Sequence, residues 1–308
     1  MDTSSWKPAV AALCAALTLT LAAGCSDRSS PAHSGPAGLV PQPVLPYDAG
    51  DPATWTLPIQ GYLPSDTEKA QISQAQKQLI ADCMKGFGFT WSPAPDLPRI
   101  GGKTLVDWRY GIHDLALAKE RGYKPEAAEQ AAYDEAMHAG AALEDPGSTA
   151  SQVLSGEGVT DEIGGRAVPA GGCAGAADRR IDARSVEMRT AQTISRTTFA
   201  TSQQDPRVVK AFAAWSACMK SHGYSYAAPL DASDDPRFSS AEVTELERAT
   251  ATADIGCRRA TGVAKIWFDA ETALQVKAID DNAGQLDQEH RDLDAAIREA
   301  ARIVAGSR

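Results

Sequence analysis

A mostly α-helical fold is what this sequence predicts, and three observations predict it. Apolar residues recur every three or four positions through several long segments. Helix start and stop signals flank those segments. Strand-like alternation is nearly absent, apart from one glycine-rich stretch with room for a small hairpin. The chain has 308 residues, enough to bury a core as one large domain or two small ones. Its formal net charge of −10 speaks against a nucleic-acid partner, which needs a basic face.

The uncharged run from Pro8 to Gly24 follows Lys7 and reads as the apolar part of a secretory signal, residues 1–24. It is short for a spanning helix, and no later 18-residue apolar run occurs, which excludes a polytopic membrane protein. The stretch Leu21-Ala22-Ala23-Gly24-Cys25 resembles the lipobox of bacterial lipoproteins, with Ala22 in place of the usual leucine. That resemblance implies cleavage before Cys25, a diacylglyceryl thioether on its sulfur, and attachment to the membrane by two or three acyl chains. Residues 25–58 are rich in Pro, Ser, Gly and Ala and read as a tether. Residues 59–308 are left for the helical domain.

The first helix starts at Ser65-Asp66-Thr67-Glu68, a capping box, and its apolar face runs through Ile72, Ala75, Leu79, Cys83 and Phe87. Its end carries Cys83-Met84-Lys85, then Gly88 between Phe87 and Phe89, Trp91 and Pro93. That ending is echoed by Cys218-Met219-Lys220, Gly223, Tyr224, Tyr226 and Pro229. The second copy follows a helix begun by Asp205 and Pro206, with Val208, Phe212, Trp215, Met219 and His222 on one face. Gly88 and Gly223 fit the left-handed position just past a helix end. Two copies indicate a duplicated unit, since a solenoid needs three or more.

Between the copies, Gly111–Arg121 and Pro125–Ala139 read as helices. The stretch 145–172 reads as a loop with a hairpin pairing Gln152–Leu154 and Arg166–Val168, and helix returns from Cys173 to Ser202. The C-terminus reads as a near-continuous helix over 241–304, capped by Ser239 and Glu242, with Gly262 as a candidate break. Val276, Ala283, His290, Ile297 and Val304 recur every seven residues, interleaved with Ile279, Leu286, Leu293 and Ala300. The partner of this stripe is either the 174–202 segment or a second chain.

Without Cys14 and Cys25, four cysteines remain: Cys83, Cys173, Cys218 and Cys257. An even number outside the cytoplasm implies two disulfides. Three connectivities are open. The favoured one, Cys83–Cys173 with Cys218–Cys257, closes two consecutive loops, each stabilising by about 3–5 kcal/mol. Their scatter, with no Cys-x-x-Cys pair, argues against zinc.

The lipobox, the tether, the two Cys-Met-Lys units, Pro169-Ala170-Gly171-Gly172-Cys173 and Trp215-Ser216-Ala217-Cys218-Met219 together resemble the secreted lipoproteins of streptomycetes. The resemblance covers most of the chain after residue 60. It implies a location and carries over no catalytic residue.

Candidate chemistry is sparse. His222 follows Cys218 by four residues, a spacing metals use, yet Phe87 fills the same place in the echo and favours packing. Asp231, Ser233, Asp235 and Glu242 resemble a calcium loop, but Pro236 stands where the sharp turn needs glycine. Ala170 to Cys173 is an anion-cradle shape without the downstream Lys and Ser or Thr of a phosphate loop. No Gly-x-Ser-x-Gly elbow occurs. His113 has Asp114 and Glu120 nearby, which point apart on a helix. Trp91, Trp108, Tyr110, Tyr224 and Tyr226 are expected as core between the two units. No metal and no cofactor are expected. The reading is a lipid-anchored, non-enzymatic protein of the cell envelope that binds a protein partner, or itself, through the C-terminal helix. The alternative is a small-ligand-binding or sensing lipoprotein.

Overall fold

A computed structural model describes residues 46–143, 145, 147–158 and 162–306. The signal segment, Cys25 and most of the tether lie outside the described residues. Eleven α-helices and a two-stranded antiparallel hairpin make up the described part, so the fold is mostly α. None of these helices is long and apolar enough to cross a membrane.

The helices begin and end for local reasons. α1 (Asp66–Gly86) is started by the Ser65–Glu68 box: Ser65 Oγ accepts from the Glu68 N–H and Glu68 Oε2 accepts from the Ser65 N–H, at 3.2 and 2.7 Å. α2 (Leu115–Arg121) is capped by Asp114, and α3 is Ala127–Ala141. α4 (Thr149–Ser155) is started by Ser148 and stopped by left-handed Gly156. That helix corrects the expected hairpin, because Gln152–Leu154 is helical. β1 (Glu162–Ile163) pairs instead with β2 (Arg166–Ala167) across Gly164-Gly165. Both turn glycines have positive φ, which a two-residue hairpin turn requires.

α5 (Gly172–Ile181), a 3-10 turn (Ala183–Glu187) and α6 (Arg189–Ser202) fill the expected 173–202 helix. α7 (Pro206–Ser221) starts on Asp205 and Pro206, and the short α8 (Pro229–Ser233) follows. The 241–304 run is three helices: α9 (Glu245–Thr261), α10 (Val263–Asp281) and α11 (Ala283–Gly306), the last 24 residues long. Left-handed Gly262 makes the first break and Asn282 the second. The start of α9 is also shifted, because Thr244 takes the cap: its Oγ1 accepts from the Glu247 N–H.

The two echoed units end their helices identically. The N–H groups of Gly88 and Phe89 bond Lys85 O and Met84 O, and those of Gly223 and Tyr224 bond Lys220 O and Met219 O, all at 3.0 Å. This is the Schellman pattern, and it needs the positive φ of Gly88 and Gly223.

The main core centres on α10. Trp267 stacks on Phe199 and meets Phe212 and Tyr110 edge-on, with ring centres 5.0 to 5.3 Å apart. Trp55 packs on Phe268 at 4.9 Å. The folded part therefore begins before residue 59: Trp55, Leu57 and Ile59 are buried in this core, and the Trp55 indole N–H donates to Asp48 O. Trp55 and Leu57 are extended and Ile59 lies in a short 3-10 helix (Pro58–Tyr62), and the surrounding Pro and Gly mask these apolar positions in a composition reading.

The heptad stripe is largely consumed inside the chain. Leu286, Leu293 and Ala300 are buried where α11 packs on α1, α5, α6 and the 3-10 turn, whereas Val276, Ala283 and His290 are exposed. Ile279 and Ile297 are half-buried. Truncating Leu286→Ala should cost about 2–5 kcal/mol in urea unfolding, and the loss should not depend on protein concentration. A concentration-dependent loss would place the seam between two chains.

Candidate functional site

The four domain cysteines form two disulfides, Cys83–Cys173 and Cys218–Cys257. Each staples one echoed unit to a second helix, α1 to α5 and α7 to α9. Each sits in its own satellite cluster: Ile80, Met84, Val153 and Ala177 around the first, Ala211, Trp215, Met219 and Val263 around the second. The aromatics expected between the units are corrected by this layout. Trp91 joins the first cluster, Tyr224 and Tyr226 the second, and Tyr110 the main core. Trp108 closes over the Gly101–Gly102 turn, where a Cβ on Gly101 would collide with its ring.

Two of the buried carboxylates, Glu271 and Asp254, centre polar knots that sequence patterning missed, and a third, Glu247, is met by Lys124 and the Tyr123 N–H. Glu271 of α10 is fully buried. Arg109 Nε reaches Glu271 Oε2 at 2.9 Å and its Nη2 reaches Oε1 at 2.6 Å. Tyr110 Oη and Gln275 Nε2 donate to the same carboxylate at 2.7 and 2.8 Å. Asp254 of α9 is fully buried too. It accepts from Arg258 Nε at 2.7 Å, Trp215 Nε1 at 2.8 Å and Tyr123 Oη at 3.3 Å. Burial pushes the Asp254 carboxyl above its ordinary value while Arg258 and the other donors pull it back. Burial, together with the neighbouring carboxylate, also raises the hydroxyls of Tyr110 and Tyr123 well above the usual phenol range. The signal was a charged residue on the apolar face of each helix with a partner one turn on, Arg258 for Asp254 and Gln275 for Glu271, while the remaining partners lie far away in sequence.

His113 does not use Asp114 or Glu120. Asp114 is spent on α2, accepting from the N–H groups of Ala116 and Leu117. His113 Nε2 instead meets Asp107 Oδ1 at 2.6 Å, and its Nδ1 faces Asp51 Oδ1 at 3.4 Å. Burial alone would raise the Asp107 carboxyl. The hydrogen bond with His113 and the Lys103 N–H outweigh it and hold the group below its ordinary value. Beside this pair opens a cavity of about 350 Å³ lined by Trp55, His113, Ile255, Arg259 and Lys265, with no carboxylate in its lining. The arrangement suits a small ligand with an apolar body, and its Lys265 is already paired with Asp269 at 2.6 Å. It is poorly suited to proton transfer, because both ring nitrogens already face carboxylates.

The other candidates resolve into structure. Asp231 accepts from the Ala228 N–H at the start of α8, and Asp235 pairs with Arg237 and accepts from Tyr226 Oη. Gly172 lies so close to the α4 terminus that a Cβ there would strike Leu154 O, so Ala170–Cys173 is a tight backbone crossing. His222 is exposed, next to the second disulfide. No protein-family model, curated protein or solved structure matches this chain.

Replacing Arg109→Met should cost about 3–5 kcal/mol by stranding the Glu271 charge, and adding Glu271→Met should restore much of it. If the double variant is as unstable as the single one, the knot is not the reason. For Asp107 the folded value lies below the unfolded one, so its stabilisation is present above the unfolded value and is lost as pH falls through the folded value. The stability gap between the wild type and Asp107→Asn, read by urea melts, should therefore shrink as pH drops from about 5 through the carboxylate range. A flat gap would show that the Asp107 charge contributes nothing.

Proposed function

We infer that this is a lipid-anchored protein of the extracytoplasmic face, held by Cys25, which binds a partner protein and does not catalyse a reaction. The observation that carries the compartment is the pairing of all four domain cysteines, a state that persists in oxidising surroundings. The lipobox-like Leu21–Cys25 stretch supports the anchor. Engagement of Glu271, Asp254 and His113 in internal bonds supports the non-catalytic reading. With Leu286 and Leu293 buried, what the C-terminal stripe leaves exposed for a partner is Val276 on α10 and Ala283 and His290 on α11. A second reading, a small-ligand-binding or sensing lipoprotein, is favoured by the cavity at Trp55, His113 and Ile255.

Feeding cells an alkyne-tagged fatty acid tests the anchor. The label should map to the peptide beginning at Cys25 and vanish in Cys25→Ala. Label absent from the wild type removes the lipid from this reading. Cross-linking in intact cells tests the partner. One stoichiometric envelope protein joined near residues 276–304 supports the module, self-links there mean a homo-oligomer, and no link shifts weight to the cavity.

A further inference from the structure

The two copies of the Cys-Met-Lys unit have diverged at a position next to the disulfide. Four residues past the first cysteine, the first copy has Phe87 and the second has His222. Phe87 is half-buried in the cluster that holds Cys83 and Cys173. The Arg166 guanidinium lies 4.9 Å over its ring and donates to Gly86 O at 2.8 Å, which adds a second layer. The second copy has no such cover. His222 is exposed, and a hollow of about 490 Å³ opens beside it, lined by Lys119, Tyr224, Glu245 and Gly256. A ring nitrogen of His222 and the sulfurs of Cys218 and Cys257 all lie within 4.8 Å of one another.

We propose that Cys218, Cys257 and His222 form a redox-gated site for a thiophilic divalent metal ion, closed while the two cysteines are joined and opened by a dithiol reductant. Two thiolates and an imidazole are a zinc-type ligand set. A disulfide sulfur has no thiolate to offer, so the closed form does not bind. One sulfur of the reductant attacks Cys218, the more exposed of the pair, and Cys257 leaves as a thiolate. The second sulfur of the reductant then displaces Cys218 and closes its own disulfide. Two electrons pass to the protein, and once the ion is bound the reductant's two protons are in solvent. Tetrahedral coordination asks the two sulfurs to stand roughly 3.8 Å apart. A side-chain rotation at half-buried Cys218 supplies that movement. The fourth position is left to water from the hollow. α7 carries Cys218, His222 is the capping residue just past its end, and α9 presents Cys257 from the facing helix. Trp215, Met219 and Val263 pack around the site.

The test uses the full chain, reduced with a phosphine or left oxidised, and titrated with Co²⁺. The reduced protein should take up one Co²⁺ with a thiolate-to-cobalt charge-transfer band, and the oxidised protein none. A Cys83→Ser/Cys173→Ser variant should keep the band. His222→Phe, which copies the first unit, should weaken binding by at least about tenfold, the low end of what even an outer-shell partner costs. Circular dichroism on the same samples reports the helical fold. Four results would each overturn the proposal: no band in a folded protein whose Cys218 and Cys257 both take an alkylating label, loss of helix on reduction, loss of the band in Cys83→Ser/Cys173→Ser, or unchanged affinity in folded His222→Phe.

Discussion

A carboxylate with no contact to water must be met by donors from every side, and Glu271 imposes that requirement on the centre of this fold. Arg109 and Tyr110 come from the loop before α2, Gln275 from one turn further along α10, and Thr198 from α6 at 3.4 Å. Arg109 also donates to Ser195 O, and Gln275 accepts from the Ile59 N–H, so α6 and the N-terminal 3-10 helix at Pro58–Tyr62 are drawn to the same point. Tyr110 then links this knot to the next. Its hydroxyl serves Glu271 while its carbonyl accepts from Arg258, which pairs with Asp254. The aromatic rings pack around α10 in the positions these bonds dictate. Hydrophobic burial supplies most of the stabilisation, and the polar knots select which packing is adopted.

What was legible in the sequence was whatever is decided within one or two turns. The Ser65–Glu68 box, the Asp205-Pro206 start and the glycines after each Cys-Met-Lys unit are local devices, and each acts where its spacing placed it. Errors begin where two local signals compete. Ser239 and Thr244 both offer a cap for α9, and packing of the Glu247 carboxylate against the Tyr123 N–H favours Thr244. The Gly164-Gly165 turn outranks the apolar Gln152–Leu154 stretch as a hairpin signal, because two successive positive φ values are a stricter demand than apolar character.

The polar site was not legible at all, for a different reason. Arg109 and Glu271 are separated by 162 residues, and Asp254, though it pairs with Arg258 one turn on, takes its other donors from Trp215 and Tyr123, 39 and 131 residues away. Periodicity can place Glu271 on the inner face of its helix, but it cannot say which cation reaches it. Composition failed at Trp55, Leu57 and Ile59 because a proline-rich window averages away three well-spaced apolar side chains. His113 shows the limit at shorter range. Its partner Asp107 is six residues away across Gly111, whose positive φ reverses the chain and defeats any helical count.

The two echoed units share a local design and differ in burial. Each unit carries its own terminator, its own staple and its own small cluster, so neither relies on the other for its local shape. The two clusters share side chains with the main core, Leu79 for the first and Phe212 for the second, so each staple borders it. The position beside each staple is free to differ between the units. In the first unit that freedom was used for closure, with Phe87 under Arg166. In the second it left an imidazole facing solvent beside two sulfurs, held in place by a helix end whose glycine and methionine match those of its counterpart.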